Sequence, residues 1–124
     1  MPIVKSADAP QFDLPGVKFT ALAAPSRGSS ENAAWRISLA AHTPGAPHQL
    51  TREEIFVAIS GSAEAAIGPE RFDVAAGDAI VVPAFTDFAL SNKGDVPFEA
   101  VAILPVGGRA LMGEAAPFSP PWSL

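Results

Sequence analysis

Apolar and polar positions alternate along this chain in short runs and do not recur at helical spacing. Trp35, Ile37, Leu39 and Ala41 share one parity while Arg36 and Ser38 share the other, the period-2 pattern of a strand with one face in a core and one in water. Gly61-Ser62, Gly68-Pro69, Ala76-Gly77-Asp78 and Lys93-Gly94-Asp95 interrupt the pattern at short intervals, as turns between strands do. The pattern predicts strands near 17–24, 34–41, 47–50, 54–60, 62–67, 70–75, 79–83, 87–92 and 98–105, and almost no helix. Regular short strands with turn signals predict an all-β sandwich or barrel.

One strand has two apolar faces. From Glu54 onward, Glu54, Phe56, Ala58 and Ser60 lie on one side and Ile55, Val57 and Ile59 on the other. If Glu54 points inward, the β-branched outer side needs a cover: the N-terminal strand, the chain's own tail or a second copy of the protein. Of these, a homodimer is the expectation. After Gly107 the alternation is lost, and Pro117, Phe118, Pro120, Pro121 and Trp122 make a segment unable to pair as a central strand. Its aromatic residues predict docking and not disorder. Phe118 and Trp122 are expected to seal a sheet face or clasp a partner; the other reading is a lid over the barrel mouth.

Composition narrows the function classes. A chain of 124 residues is one domain able to bury a single core without a staple. A net charge of −5 with scattered Lys and Arg leaves no basic surface for phosphates, so no nucleic-acid partner is expected. The lack of Cys excludes disulfides, zinc thiolate sites and thiol nucleophiles. Met1-Pro2-Ile3-Val4-Lys5 runs straight into Ser, Asp and Pro, so no signal peptide and no membrane partner are expected, and a cytoplasmic location is the default.

Two segments carry a motif. His48, Glu54 and Gly61 stand at the spacing of Gly-x5-His-x-His-x3-Glu-x6-Gly, with Leu50 at the second His and His42 at the opening Gly. Gly77, Pro83 and Asn92 then match Gly-x5-Pro-x-Gly-x2-His-x3-Asn, with Phe85 at the inner Gly and Phe88 at the His. The chain thus resembles the cupin superfamily, as a small protein of the conserved-barrel type with a degenerate metal motif. The resemblance implies an all-β, cupin-type double-stranded β-helix, or jelly-roll barrel, in a single domain spanning 1–124. Its core would run over about 17–106, with an N-terminal arm at 1–16 and the tail at 107–124.

In metal-dependent members of that family three His and one Glu converge on a divalent ion. Leu50 and Phe88 have no lone pair to offer, which leaves His48 and Glu54 where catalytic sites usually keep about three protein ligands. No cofactor is therefore predicted. A divalent metal, if held, would rest on His48 and Glu54, with His42 a weaker third because its parity is that of the outward Arg36 and Ser38. Without a metal, Glu54 facing Leu50, Phe56 and Phe88 must raise its pKa or find a cation, and His48 is the nearest by motif. A His48–Glu54 pair would hold a polar ligand group or act as general base and acid, or be only a satisfied polar pair with buried water.

The ligand pocket is expected among His48, Leu50, Glu54, Phe56 and Phe88. It suits a small, partly apolar or aromatic molecule with one polar handle, unless Phe85 and Phe88 fill the barrel. Three classes follow: a metal-free cupin that binds a small molecule, a metal-dependent oxygenase or isomerase of a small organic substrate, and an inert dimeric interaction module. The shared fold does not choose among them.

Overall fold

Ten turns and loops bring the alternating segments into antiparallel register. A computed structural model describes residues 2–124; Met1 of the expected N-terminal arm lies outside the described residues. The strands are β1 (Gln11–Leu14), β2 (Val17–Ala23), β3 (Asn32–Leu39), β4 (Gln49–Leu50), β5 (Glu54–Ser60), β6 (Ser62–Ile67), β7 (Glu70–Ala75), β8 (Ala79–Val82), β9 (Phe88–Ser91), β10 (Phe98–Pro105) and β11 (Ala110–Leu111), with three short 3-10 turns. A six-stranded sheet of order β1-β2-β3-β10-β5-β8 faces a three-stranded sheet β7-β6-β9, and β11 pairs with β4. The architecture is a jelly-roll barrel.

The inner faces are built by strict alternation. On β10, Phe98, Ala100, Ala102 and Leu104 are fully enclosed while Glu99, Val101 and Ile103 between them are not. Across the sheet, the register sets Ala21 opposite Trp35, Trp35 opposite Ala102, Ala102 opposite Phe56 and Phe56 opposite Ile80. Small side chains thus alternate with large ones in one row. Such interdigitation fills a small barrel, and each enclosed Phe or Leu contributes about 1.5–3 kcal/mol.

Asn92 belongs to this framework. It is 1% exposed. Its Nδ2 donates to the carbonyls of Leu39 (3.1 Å) and Val96 (2.8 Å), and its Oδ1 accepts from the Gly94 amide (3.0 Å). A buried amide with all of these bonds made fixes the end of β3 to the turn before β10. Pro83 follows the last residue of β8, as expected of a residue with no amide to give a ladder.

The tail docks. Trp122 stacks on Phe19 with ring centroids 3.6 Å apart and planes 4° from parallel, and meets Phe12 and Trp35 edge-on, each at 6.4 Å. It therefore seals the inner side of β1–β3. The segment before it pairs with the barrel mouth: Ala110 lies opposite Leu50 and bridges to Phe118. Neither the tail nor β1, which pairs with β2 at the far edge, reaches the outer side of β5. Val57 is 41% exposed, Ile59 49% and Val81 53%, so the two covers from within the chain do not apply to that face.

Candidate functional site

Glu54 opens β5 and points into the barrel, as the alternation requires. It lies opposite Val82 of β8 and is 4% exposed. It shares the interior with Leu50, Phe56 and Phe88, all of them buried. Among the described residues its Oε1 has no hydrogen-bond partner. Burial alone pushes the carboxyl up to about 8, because a charge taken from water into hydrocarbon without a partner is strongly disfavoured. At neutral pH the group is a neutral acid with an O–H to donate.

The expected His48–Glu54 pair does not form. Among the described residues the ion pairs are His42–Asp95, Arg71–Glu64 and Lys93–Glu64. His48 is half-buried at the rim, where its amide and carbonyl exchange hydrogen bonds with Phe88 across a single bridge. Its Nδ1 lies 2.8 Å from the Ala46 carbonyl. The Phe88 ring meets His48 edge-on at 5.9 Å on one side and Phe56 at 5.3 Å on the other. The backbone carbonyl of Ala46 thus satisfies the imidazole locally.

His42 is elsewhere. It is exposed and pairs through Nε2 with Asp95 at 3.0 Å. Its φ is +58°, and Phe85 has φ +57°; both lie in the left-handed region that disfavours a side chain. These are the two motif glycine positions that the chain fills with another residue, Gly61 and Gly77 being kept. Phe85 is 63% exposed, so it stays out of the barrel, whereas Phe88 is buried within it. Sequence reading named both substitutions but missed their backbone meaning; the signal was a motif glycine replaced by a bulky residue where only glycine turns freely.

The residues present do not fit a metal. Two of the four liganding positions are hydrocarbon and buried, His48 is turned to a backbone carbonyl, and no group of three or more His, Asp or Glu is gathered among the described residues. The chemistry the site offers is that of one neutral carboxyl in an apolar interior: hydrogen-bond donation to an acceptor, or general-acid proton delivery.

Two hollows open on the surface away from Glu54. One of about 540 Å³ lies on the outer side of β1–β3 and includes Asp13, Lys18, Arg36 and Glu99. The other, of about 340 Å³, lies beside His42 and Lys93.

A family model described as "Cupin domain" matches residues 35–104. No curated protein matches the chain. Among solved structures, the polyketide cyclase RemF from Streptomyces resistomycificus superposes with TM-score 0.81 at 13% identity, over 94% of this chain and 87% of that one. KdgF from Halomonas sp. gives TM-score 0.72 at 19% identity, over 83% and 93%. A predicted oxalate decarboxylase from Thermotoga maritima gives 0.73 at 17%, over 84% and 98%. At these identities the likeness is one of fold. With more than half its length matched by the family model and both motif segments inside the matched residues, the chain belongs to the cupin family.

Proposed function

We propose that the barrel binds a small, partly apolar organic molecule, without a tightly held metal, through one hydrogen bond from the neutral carboxyl of Glu54. The observation that carries this is the partnerless Oε1 in an otherwise hydrocarbon interior. A buried polar atom left unsatisfied costs about 1–3 kcal/mol, and a ligand acceptor placed against it recovers that cost. Leu50, Phe56 and Phe88 supply the apolar wall, and His48 stands at the rim. A carbonyl oxygen suits the donor; a cation does not, because the acid carries no charge at neutral pH. The polyketide cyclase of the same fold is named for work on an organic substrate. The working unit is a cytoplasmic homodimer.

The test compares acetophenone with ethylbenzene, which keeps the aromatic ring and the two-carbon side chain but lacks the acceptor. Acetophenone should raise the thermal midpoint of the wild type and bind it about tenfold more tightly than ethylbenzene, and Glu54→Leu should abolish the difference. Equal affinity for the two compounds, or near-stoichiometric iron, manganese, nickel or zinc in protein purified without chelator, overturns the proposal.

A further inference from the structure

Glu54 is enclosed, so a ligand that meets it must pass something that moves, and the tail is one of the covers at its end of the barrel. One step beyond Ile103 opposite Ile55, the register sets Leu104 beside Glu54, and Gly108 sits so close on Leu104 that an added Cβ would lie 2.7 Å from its Cγ. Next, the Thr51 amide donates to the Arg109 carbonyl (2.9 Å) and the Arg109 amide to Thr51 Oγ1 (2.9 Å). Ala110 then faces Leu50. The chain from 108 to 111 therefore roofs the barrel end at which β5 begins with Glu54.

The roof is lightly held. β11 has two residues, and its other edge is bridged only by Phe118 of the same tail. The tail's far end is anchored by the Ser26 amide donating to the Leu124 carbonyl at 3.2 Å and by Trp122 in its slot of Phe12, Phe19 and Trp35. Among the described residues that buried indole Nε1 has no acceptor, so the slot holds the ring by stacking while leaving a polar atom unsatisfied. Between barrel and tail stands Gly107, with φ +90° and no atom within 4 Å of the place a Cβ would take, in a turn closed by the Gly108 amide donating to the Pro105 carbonyl at 3.0 Å.

We propose that residues 109–124 form a lid that turns at Gly107, latched by Trp122, and that its opening is the route by which a ligand reaches Glu54. The proposal rests on the reading of Glu54 as the ligand-contacting group. The sealing role of Trp122 and the roofing role of β11 are then two ends of one element.

The chain has no cysteine, which makes a single thiol a clean reporter. Glu54→Cys in the full chain should react slowly with 5,5′-dithiobis(2-nitrobenzoate), and adding Trp122→Ala should speed it about tenfold or more. Ala65→Cys, buried on β6 away from the tail, should stay slow in both backgrounds. An unchanged rate at 54, a fast rate at 54 with Trp122 intact, or equal acceleration at 54 and 65 overturns the lid, the last by showing that Trp122 holds the whole barrel together. No ligand takes part, so the lid and the binding reading fail separately.

Discussion

The Glu54 carboxyl folds with one oxygen unpartnered, and the cost falls on its charged form. Its folded value of about 8 lies above the ordinary glutamate value of 4.5, so between the two the folded protein keeps a proton that the unfolded chain has released. The sign follows: the contribution to stability is whole below about 4.5 and is lost as pH rises toward 8, with a slope of roughly 1.4 kcal/mol per pH unit. In urea titrations the wild-type stability should fall from pH 5 to pH 7.5 relative to Glu54→Gln, which keeps the shape and cannot ionise. Parallel curves for the two proteins would contradict a neutral buried acid. The inward direction of Glu54 was legible in the sequence because parity along one strand fixes a face. The direction of His48 was not: it sits at a single bridge outside any long strand, and a local carbonyl at Ala46 decides where the ring goes.

The elements were legible wherever two signals agreed. Nine predicted strands return within a few residues, β5, β6, β7 and β10 with the bounds expected, because alternation and turn residues both mark them. β1 was missed: Gln11-Phe12-Asp13-Leu14 is a short edge segment after Pro10, held by pairing with β2. β11 was missed because two residues between Gly107-Gly108 and the prolines carry no period; only contact with β4 makes them a strand. The turn between β8 and β9 shows the reverse case, where sequence and geometry conflict. Phe85 is pinned there by its amide donating to the Leu50 carbonyl at 2.8 Å, at a φ that costs a side chain about 1–2 kcal/mol. Phe85→Gly removes that strain, loses little packing because the ring is mostly exposed, and returns part of the gain through the freer unfolded chain. A net rise of about 0.5–1 kcal/mol in unfolding free energy is expected from chemical denaturation. A loss of stability would mean that the ring packs on something the exposed conformation does not show.

At the scale of the whole molecule, the outer side of the six-stranded sheet is divided. On β5, β8 and β10 it presents Ile55, Val57, Ile59, Val81, Val101 and Ile103, paired across strands as Val57 with Val101 and Ile55 with both Ile103 and Val81. Toward β1–β3 it turns polar, and in the hollow there Lys18, Arg36, Asp13 and Glu99 form no ion pair among the described residues. The proposed homodimer would use both features: under a two-fold axis each copy's two cations and two carboxylates meet the other's opposite charges while the β-branched strips close on one another. The occupant this layout favours is a second copy, since an acidic or basic partner would satisfy only half of the charges. In sedimentation equilibrium the wild type should behave as a dimer, and Val57→Lys should shift it toward monomer, weakening association by about tenfold or more, because a lysine at the centre of the strip must be desolvated with no carboxylate opposite. The substitution lies on the outer face, so the core and the interior around Glu54 keep their packing and the thermal response to acetophenone should survive it. A monomeric wild type would leave the strip an exposed apolar face and remove the second copy from the account.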